Sequence, residues 1–389
     1  MNFTILESDQ FRKFAEKHPD RSFYQTPEIA ELRAANGWVP YYFGVKEGEK
    51  LIAASLVVAK PAFLGKSIYY APGGPLINYE DAKLVDFFFK NLRNYAKSHN
   101  GYLLHIEPYY ESIERDRDGA PVEGGFNRKK AKQNLKKFGF KPLTLSDEPK
   151  YSFVLELKGY TEDQLFADMK RNTRNHIRKA EKMGVTVREL KREELNIFKK
   201  ITESTSERRH FHDKPLSYYE KMYDLFHDRG EVKFIVAEVS EDVLLKNAYA
   251  DETQTEQPKG ITTEAKKHSE KECRLKPLSV AMFMTYGDEV IYLFSGSDEK
   301  YMKDYNAQYL IQWHMIKYAV ANGFKTYNFY GIQGLPNRSS KDYGIYDFKK
   351  GFTSPETGRV VELLGAYELP ISLPFYQLHR LISRIKIKN

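Results

Sequence analysis

Two tandem α/β domains of one design are predicted for this chain, on three observations. The chain has 389 residues, more than one core ordinarily organises. Apolar periodicities of 2 and 3.6 residues alternate along it, the pattern of a mixed α/β protein. A strand–loop–strand, helix, Asn-Gly, strand pattern also occurs twice. The first copy is PYYFGVKEGEKLIAASLVVA with FFFKNLRNYAKSHNGYLLHIEPY; the second is EVKFIVAEVS, PLSVAMFMTYGDEVIYLFSGS and LIQWHMIKYAVANGFKTYNFYGI. Tyr95-Ala96 to Asn100-Gly101-Tyr102 align with Tyr318-Ala319 to Asn322-Gly323-Phe324, off by one residue.

In chain order, Phe11–Ala15 and Ile29–Ala35 read as short helices. Pro40–Val45 and Leu51–Lys60 read as a hairpin turning at Glu47-Gly48-Glu49-Lys50. Pro and Gly punctuate SIYYAPGGPLINYE. Asp81–Ser98 is a strong amphipathic helix with Leu84, Phe88, Leu92, Tyr95 and Ala96 on one face, stopped by Asn100-Gly101. YLLHIEPYY is the next strand. The polar stretch Glu111–Lys141 reads as a connection containing one basic helix, RKKAKQNLKK, ended by Gly139. A second cycle opens with the strand KYSFVLELKG. One long helix, TEDQLFADMKRNTRNHIRKAEKMG, follows, with Thr161 or Asp163 as N-cap, Gly184 at its end, and Leu165, Met169, Thr173, Ile177 and Ala180 facing inward. Between Val239 and Leu278 lies a polar Thr/Glu/Lys-rich insertion, either a mobile excursion or a short helical arm broken at Pro258–Gly260.

Composition excludes several classes. With 41% hydrophobic and 14% aromatic residues the chain is not intrinsically disordered. One cysteine, Cys273, excludes a disulfide scaffold and a multi-Cys zinc site, and its place in the insertion argues against thiol catalysis. No apolar run approaches the ~20 residues of a membrane span, and MNFTILESDQF lacks the features of a signal peptide. The expectation is a soluble cytoplasmic protein. Its 61 Lys and Arg against 53 Asp and Glu, net +8, point to an anionic partner: nucleic acid, a phosphorylated substrate or an anionic lipid surface.

That positive charge is unevenly placed. KRNTRNHIRKAEK carries Lys170, Arg171, Arg174, Arg178, Lys179 and Lys182 against one acid, and Arg171, Arg174 and Arg178 share a helix face. It reads as a phosphate-tracking surface or as a solvated face. STSERRHFHDKPLSYYEKMYDLF gathers Arg208, Arg209, His210, His212, Lys214 and Tyr218. His210 and His212 lack a convincing third ligand, so no metal site is expected; an anion-binding loop or a polar loop with core tyrosines fits. Glu107 stands at a strand end, where α/β folds often carry functional groups. Lys349 and Lys350 follow the loop FYGIQGLP and suit either a phosphate or solvent. The C-terminal LPFYQLHRLISRIKIKN is an apolar and basic helix, expected mainly to pack on its domain, with contact to an anionic membrane surface as the alternative. Walker A, GxSxG, HExxH and usable GxGxxG motifs are absent, as is a coenzyme A pyrophosphate loop.

Several segments together resemble the FemABX family of tRNA-dependent aminoacyltransferases that build peptidoglycan cross-bridges. They are YYAPGGPLINYE, LHIEPY, MKRNTRNHIRKAEKMGV, SERRHFHDKPLSYYEKMY, YNAQYLIQWHMIKYA, TYNFYGIQG and YDFKKGF with the helix after it. The resemblance implies tandem GNAT-like domains: 1–148 with 355–389 as the first, and 149–354 as the second, with its insertion at about 240–277. It implies transfer from aminoacyl-tRNA, as co-substrate and without a cofactor, to the side-chain amine of a stem peptide on lipid II or UDP-muramoyl pentapeptide. By position it places Lys349 near the acceptor's diphosphate and the reacting centre, and Glu107 where the family carries an acid; Glu107 is then the candidate to help with the amine proton, with substrate-assisted proton transfer as the alternative. Arg33, Lys214, Tyr218, Tyr292 and Phe294 fall at acceptor-binding positions; lysine at 214 lacks the guanidinium fork and Phe294 lacks a hydroxyl. Glu362 and Glu368 both fit a late family glutamate. Lys170, Arg171, Arg174, Arg178 and Lys179 would meet the tRNA. Peripheral contact with the inner membrane leaflet and partner enzymes of the same family are further implications. A coenzyme-A-dependent GNAT-type acyltransferase and a non-catalytic RNA-binding protein are the alternatives.

Overall fold

The computed structural model describes residues 1–144, 146, 148–209, 212–252 and 274–388. His210, Cys273 and the Pro258–Gly260 break therefore lie outside the described residues. In chain order the elements begin with β1 (Asn2–Ile5), α1 (Ser8–Ala15), α2 (Pro27–Ala34), β2 (Val39–Glu47), β3 (Lys50–Pro61), β4 (Ser67–Gly73), α3 (Ala82–Ser98), β5 (Gly101–Pro108), β6 (Glu111–Glu114), α4 (Lys129–Phe138) and β7 (Lys141–Pro142). They continue with β8 (Tyr151–Glu156), α5 (Glu162–Asp168), α6 (Arg171–Lys182), β9 (Thr186–Glu189), α7 (Leu195–Arg209), α8 (Leu216–Phe226), β10 (Val232–Ser240), α9 (Glu241–Glu252), β11 (Leu275–Tyr286) and β12 (Glu289–Ser297). The last are α10 (Glu299–Tyr305), α11 (Ala307–Ala321), β13 (Thr326–Ile332), α12 (Tyr343–Lys350), β14 (Gly358–Leu363), β15 (Tyr367–Pro370) and α13 (Leu373–Lys388). Two compact units form: 1–154 with 330–347 and 358–389, and 155–329 with 348–357.

The first unit is built on a seven-stranded sheet ordered β1-β2-β3-β4-β5-β15-β7. Neighbours from β1 to β4 run antiparallel, and β4 and β5 run parallel. Helix α3 makes the crossover between these two. Asp81 caps its start, accepting from the Lys83 and Leu84 N–H groups at 3.0 Å. Its buried stripe, Leu84, Val85, Phe88, Phe89, Leu92 and Ala96, covers the sheet. Phe88 and Phe89 are completely buried, and each burial stabilises the fold by roughly 1.5–3 kcal/mol. Strand β15 arrives from the C-terminal segment and is hydrogen-bonded on both sides, to β5 and β7. The stretch 111–141 is more than a connection around one helix: Glu111–Glu114 forms β6, paired with β14 from the far end of the chain.

In the second unit β9, β10, β11 and β12 are successively antiparallel, and β12 runs parallel to β13 across the crossover helix α11. This repeats the β1-to-β5 arrangement, so the duplication read from sequence is a duplication of topology. The single long helix expected over 161–184 is two helices. Thr161 caps α5 in a reciprocal capping box with Gln164. The chain then turns extended at Met169 (ψ 150°) and Lys170 (ψ 142°) before α6. Met169 is buried, and the Lys170 N–H bonds to the Gly351 carbonyl at 2.9 Å instead of to the preceding turn. A tertiary bond replaces a helical one, without a Pro or Gly to mark the place.

Candidate active site

In the first unit the conspicuous polar group lies toward the C-terminal ends of the parallel strands β4 and β5. Glu107, on β5, is 4% exposed. Tyr70 donates a short hydrogen bond to its Oε2, Ser146 donates to its Oε1 at 2.8 Å, and His105 Nε2 stands 3.4 Å from Oε1. Burial alone would raise this carboxyl, but His105, Tyr70 and Ser146 outweigh it and hold the pKa below the ordinary value. Glu107 is therefore an ionised carboxylate in a dry place. Arg33 of α2 stacks its guanidinium on the Tyr70 ring, 5.5 Å from the centroid, and on Trp38 at 5.9 Å. The sequence thus named two residues, Arg33 and Glu107, that meet the same tyrosine.

The glycines of YYAPGGP explain how the 22–26 loop reaches this place. Gly73 has φ +62°, and a Cβ there would lie 2.8 Å from Ser22 and Tyr24; one on Gly74 would lie 2.5 Å from the Gln25 amide. Gln25, fully buried, ties the loop down by donating to the Leu56 and Pro72 carbonyls and accepting from the Leu56 N–H. Tyr24 so held shares a 3.0 Å hydrogen bond with the Tyr330 hydroxyl, which also donates a short bond to Glu148. Tyr330 has φ +64°, a left-handed conformation costing a bulky residue about 1–3 kcal/mol and concentrated at functional sites. The Glu148 carboxyl is pushed up to about 7. Burial is the main cause, opposed by hydrogen bonds from Tyr330 and Tyr24, with nearby Glu107 pushing further and Arg33 pulling back. Two neighbouring carboxyls with pKa values driven apart are an acid–base arrangement. Glu148, Tyr330, Tyr24 and Gln25 escaped the sequence reading.

The second unit holds Lys214, Tyr218, Tyr292, Phe294, Lys349 and the cations of the α6 segment. Asp213 accepts from Lys199 and Thr202 at 2.9 Å and from the Tyr219 hydroxyl at 2.5 Å. These bonds pin the start of the 212–215 segment to α7 and so place Lys214 and Tyr218. The Lys214 ammonium lies 5.7 Å from the Tyr218 ring, whose edge meets Phe294 at 6.3 Å. Asp213, between the singled-out His212 and Lys214, was overlooked; its signal was the HDKP turn. Tyr292 and Phe294 do not act as neighbours. A bulge in β12 against Met282 and Phe283 leaves Leu293 unpaired between them. Tyr292 donates to Ser295 and accepts from Gln308 at 3.0 Å, while Phe294 packs against Tyr218 and Tyr219.

Lys349, on α12, is 5% exposed, and burial lowers its pKa to about 7. Its chain neighbours Phe348 and Phe352 pack among Tyr309 and Phe329, and burial disfavours the charged form of the amine. Lys170, just before α6, and Arg171, Arg178 and Lys179 on it are exposed and Arg174 is half-buried, while Thr173, Ile177 and Ala180 face inward. Arg174 bonds to the Ala167 carbonyl, and the Arg178 guanidinium lies 5.2 Å from the Phe166 ring. Glu362 is held by Arg115 at 2.6 Å, Lys132 at 3.3 Å and Lys150 at 3.6 Å, and Glu368 by Tyr376 and Arg380; both serve ion-pair networks of the first unit.

Residues 6–272 and 246–384 match the FemAB family. The chain belongs to the FemAB family. It is 30% identical over 421 aligned positions to the aminoacyltransferase FemA of Staphylococcus aureus strain RF122, covering 99% of both chains; FemA of strain N315 matches equally. This FemAB chain is accordingly an aminoacyltransferase. Its fold is that of the FemX crystal structure, with a TM-score of 0.76 at 22% identity over 97% of this chain and 99% of that one. A tandem GNAT protein from the clavulanic acid biosynthesis pathway follows at 0.51 and 11% identity, covering 95% of this chain and 98% of that one. The duplicated topology of this FemAB member is therefore a pair of GNAT-like domains.

Proposed function

We propose that this protein transfers an amino acid from aminoacyl-tRNA to the side-chain amine of a peptidoglycan stem peptide. The acceptor is carried on lipid II or UDP-muramoyl pentapeptide, the reaction builds the interpeptide bridge, and the protein works on the cytoplasmic side. The observation that carries the reading is the end-to-end match to an aminoacyltransferase named FemA.

The chemistry is aminolysis of an ester. The acceptor ammonium loses a proton, and its nitrogen attacks the aminoacyl carbonyl. The N–C bond forms, the C–O bond to the tRNA ribose breaks, and the ribose oxygen takes up a proton. Ester to amide is downhill, so no nucleotide hydrolysis and no cofactor are required. Glu107, ionised and buried, suits holding the acceptor ammonium by charge and is the candidate to receive its proton, although a lowered pKa makes it a weak base. Arg33, Lys214 and Tyr218 offer cationic and hydrogen-bonding contacts to the acceptor, and Tyr292 and Phe294 of β12 are further candidates. The exposed cations Lys170, Arg171, Arg178 and Lys179, with Arg174 beside them, suit a tRNA backbone.

Lys349 has two roles open to it. As an ammonium it would meet the acceptor diphosphate and the developing oxyanion. A pKa of about 7 also favours a second reading, in which the neutral amine takes the acceptor's proton. The pH profile separates them: a charge role raises the acceptor KM above pH 7, whereas a base role makes kcat fall below pH 7.

The deciding assay incubates the protein with lipid II and labelled aminoacyl-tRNA, with and without ribonuclease. Transfer to the acceptor that ribonuclease abolishes is the expected result. Transfer from acyl-coenzyme A alone would replace this reading with a coenzyme-A-dependent one. A panel of charged tRNAs then identifies the amino acid.

A further inference from the structure

Three segments far apart in the chain meet at Glu148. They are the 22–26 loop with Tyr24, the approach to β8 with Glu148 itself, and the end of β13 with Tyr330. Each meeting strains or crowds the backbone. Tyr330 is left-handed. Gly331 runs so close to the next segment that a Cβ on it would lie 2.9 Å from the Pro149 ring. Gly73 makes the same allowance for Tyr24. A bulky residue held left-handed persists where the surroundings over-determine it, and such places concentrate at functional sites. Tyr24, Glu148 and Tyr330 are each half-buried, so the cluster keeps some surface for a substrate.

Bonding alone does not call for an acid at position 148. The carboxyl accepts from Tyr330, which shares its second bond with Tyr24. A glutamine carbonyl would accept equally well and would place no ionisable group there. The charged and titratable groups facing Glu148 are Tyr330, Tyr24, Glu107 and Arg33. Tyr70 bonds to Glu107 and senses the charge of both acids, and His105 stands beside Glu107. The Ser146 hydroxyl links the two neighbourhoods, 2.8 Å from Glu107 Oε1 and 2.6 Å from the Glu148 carbonyl. Two carboxyls thus face one guanidinium, that of Arg33, which lies over the Tyr70 and Trp38 rings. A substrate ammonium would complete the balance of charge.

We propose that Glu148 is a catalytic residue that takes the proton from the acceptor ammonium, with Glu107 holding that ammonium and Tyr330 and Tyr24 as positioning residues. The inference rests on the transfer reaction proposed above. The ammonium N–H bond breaks, its proton goes to the Glu148 carboxylate, and the nitrogen keeps the electron pair. That pair forms the N–C bond to the aminoacyl carbonyl. As the C–O bond to the ribose breaks, Glu148 returns the proton to the ribose oxygen. The second ammonium proton, lost as the amide forms, goes to solvent. The two acids divide the work by basicity: Glu148, pushed up to about 7, is the better base, and Glu107, held below the ordinary value, is the steadier anion.

Steady-state transfer from aminoacyl-tRNA to lipid II, followed from about pH 5.5 to 8.5 beside a thermal melt of each variant, tests the assignment. Wild-type kcat should fall below pH 7. Glu148→Gln should lower kcat about 100-fold or more and abolish that limb. Its acceptor KM should stay within about twofold, and it should melt no lower than wild type. Tyr330→Phe removes a hydrogen bond that lowers the Glu148 pKa, so its limb should move to higher pH; a tyrosine serving only packing would leave the limb in place. Glu107→Gln should raise the acceptor KM and keep the limb. A Glu148→Gln enzyme that keeps wild-type kcat, or that keeps the limb while Lys349→Met loses it, would overturn the assignment and leave the transfer reaction standing. A wild type that transfers nothing to lipid II would remove the reaction and the assignment with it.

Discussion

Burial holds the Lys349 ammonium at a pKa of about 7, so near neutrality about half of the unliganded molecules carry an uncharged amine there. A bound diphosphate would restore the charge. Acceptor binding at pH 8 should therefore take up a proton, and affinity should fall by up to about tenfold per pH unit above 7. Calorimetry in buffers of different ionisation enthalpy reads the uptake; none at pH 8 would separate this lysine from the diphosphate. Lys349→Met should cut transfer on the order of 10²–10³-fold. Glu148 carries the opposite linkage. Its folded pKa of about 7 lies above the ordinary 4.5, so its contribution to stability is complete below about 4.5 and is lost as pH rises through 7. Glu148→Gln should flatten that loss, and its melting temperature should gain more on wild type at pH 8 than at pH 5. Glu107 and Lys349 could be singled out from the sequence because they sit in the HIEPYY and YDFKKGF segments, and both prove buried. Glu148 could not be singled out, because its partner Tyr330 lies 182 positions away and nothing local marks either residue.

Among the elements, Asp213 fixes the segment that carries Lys214 and Tyr218, the residues proposed above to meet the acceptor. Three donors converge on it from α7 and α8. Asp213→Ala would leave Lys199, Thr202 and Tyr219 without their acceptor, at a cost of about 2–3 kcal/mol. It should raise the acceptor KM more than it lowers kcat, because Lys214 and Tyr218 lose their placement while Lys349 keeps its own. Steady-state kinetics with varied acceptor, beside a thermal melt, checks both effects. The crossover helices α3 and α11 were readable, since apolar spacing and a following Asn-Gly are local signals. The break between α5 and α6 was not. Its cause is the Lys170–Gly351 bond, a contact that exists only once distant segments have met.

At the scale of the molecule, the duplicated order of strands was legible as a repeat, and its GNAT-like character came with the family resemblance. Strand β6 was missed because a four-residue strand, ESIE, becomes one only through pairing with β14. Strand β15 couples the two ends of the chain within one sheet. Ending the chain at Ala366 should deprive β5 of the partner that faces Leu103 to Ile106. Hydrogen exchange would then show these amides losing protection, while residues 232–240 of β10 keep theirs between β9 and β11.

Strand β15 also sets a schedule for synthesis on the ribosome. The first unit begins at Met1 but cannot complete its sheet until residues 367–370 have emerged. At ~5–20 residues per second, the delay between residue 154 and that strand is roughly 10–40 s. Throughout it the nascent chain carries the edge of β5 uncovered, a template for pairing with a neighbouring chain. The N-terminal unit, first to emerge, is thus completed only after residues 367–370 have followed the whole of the second unit.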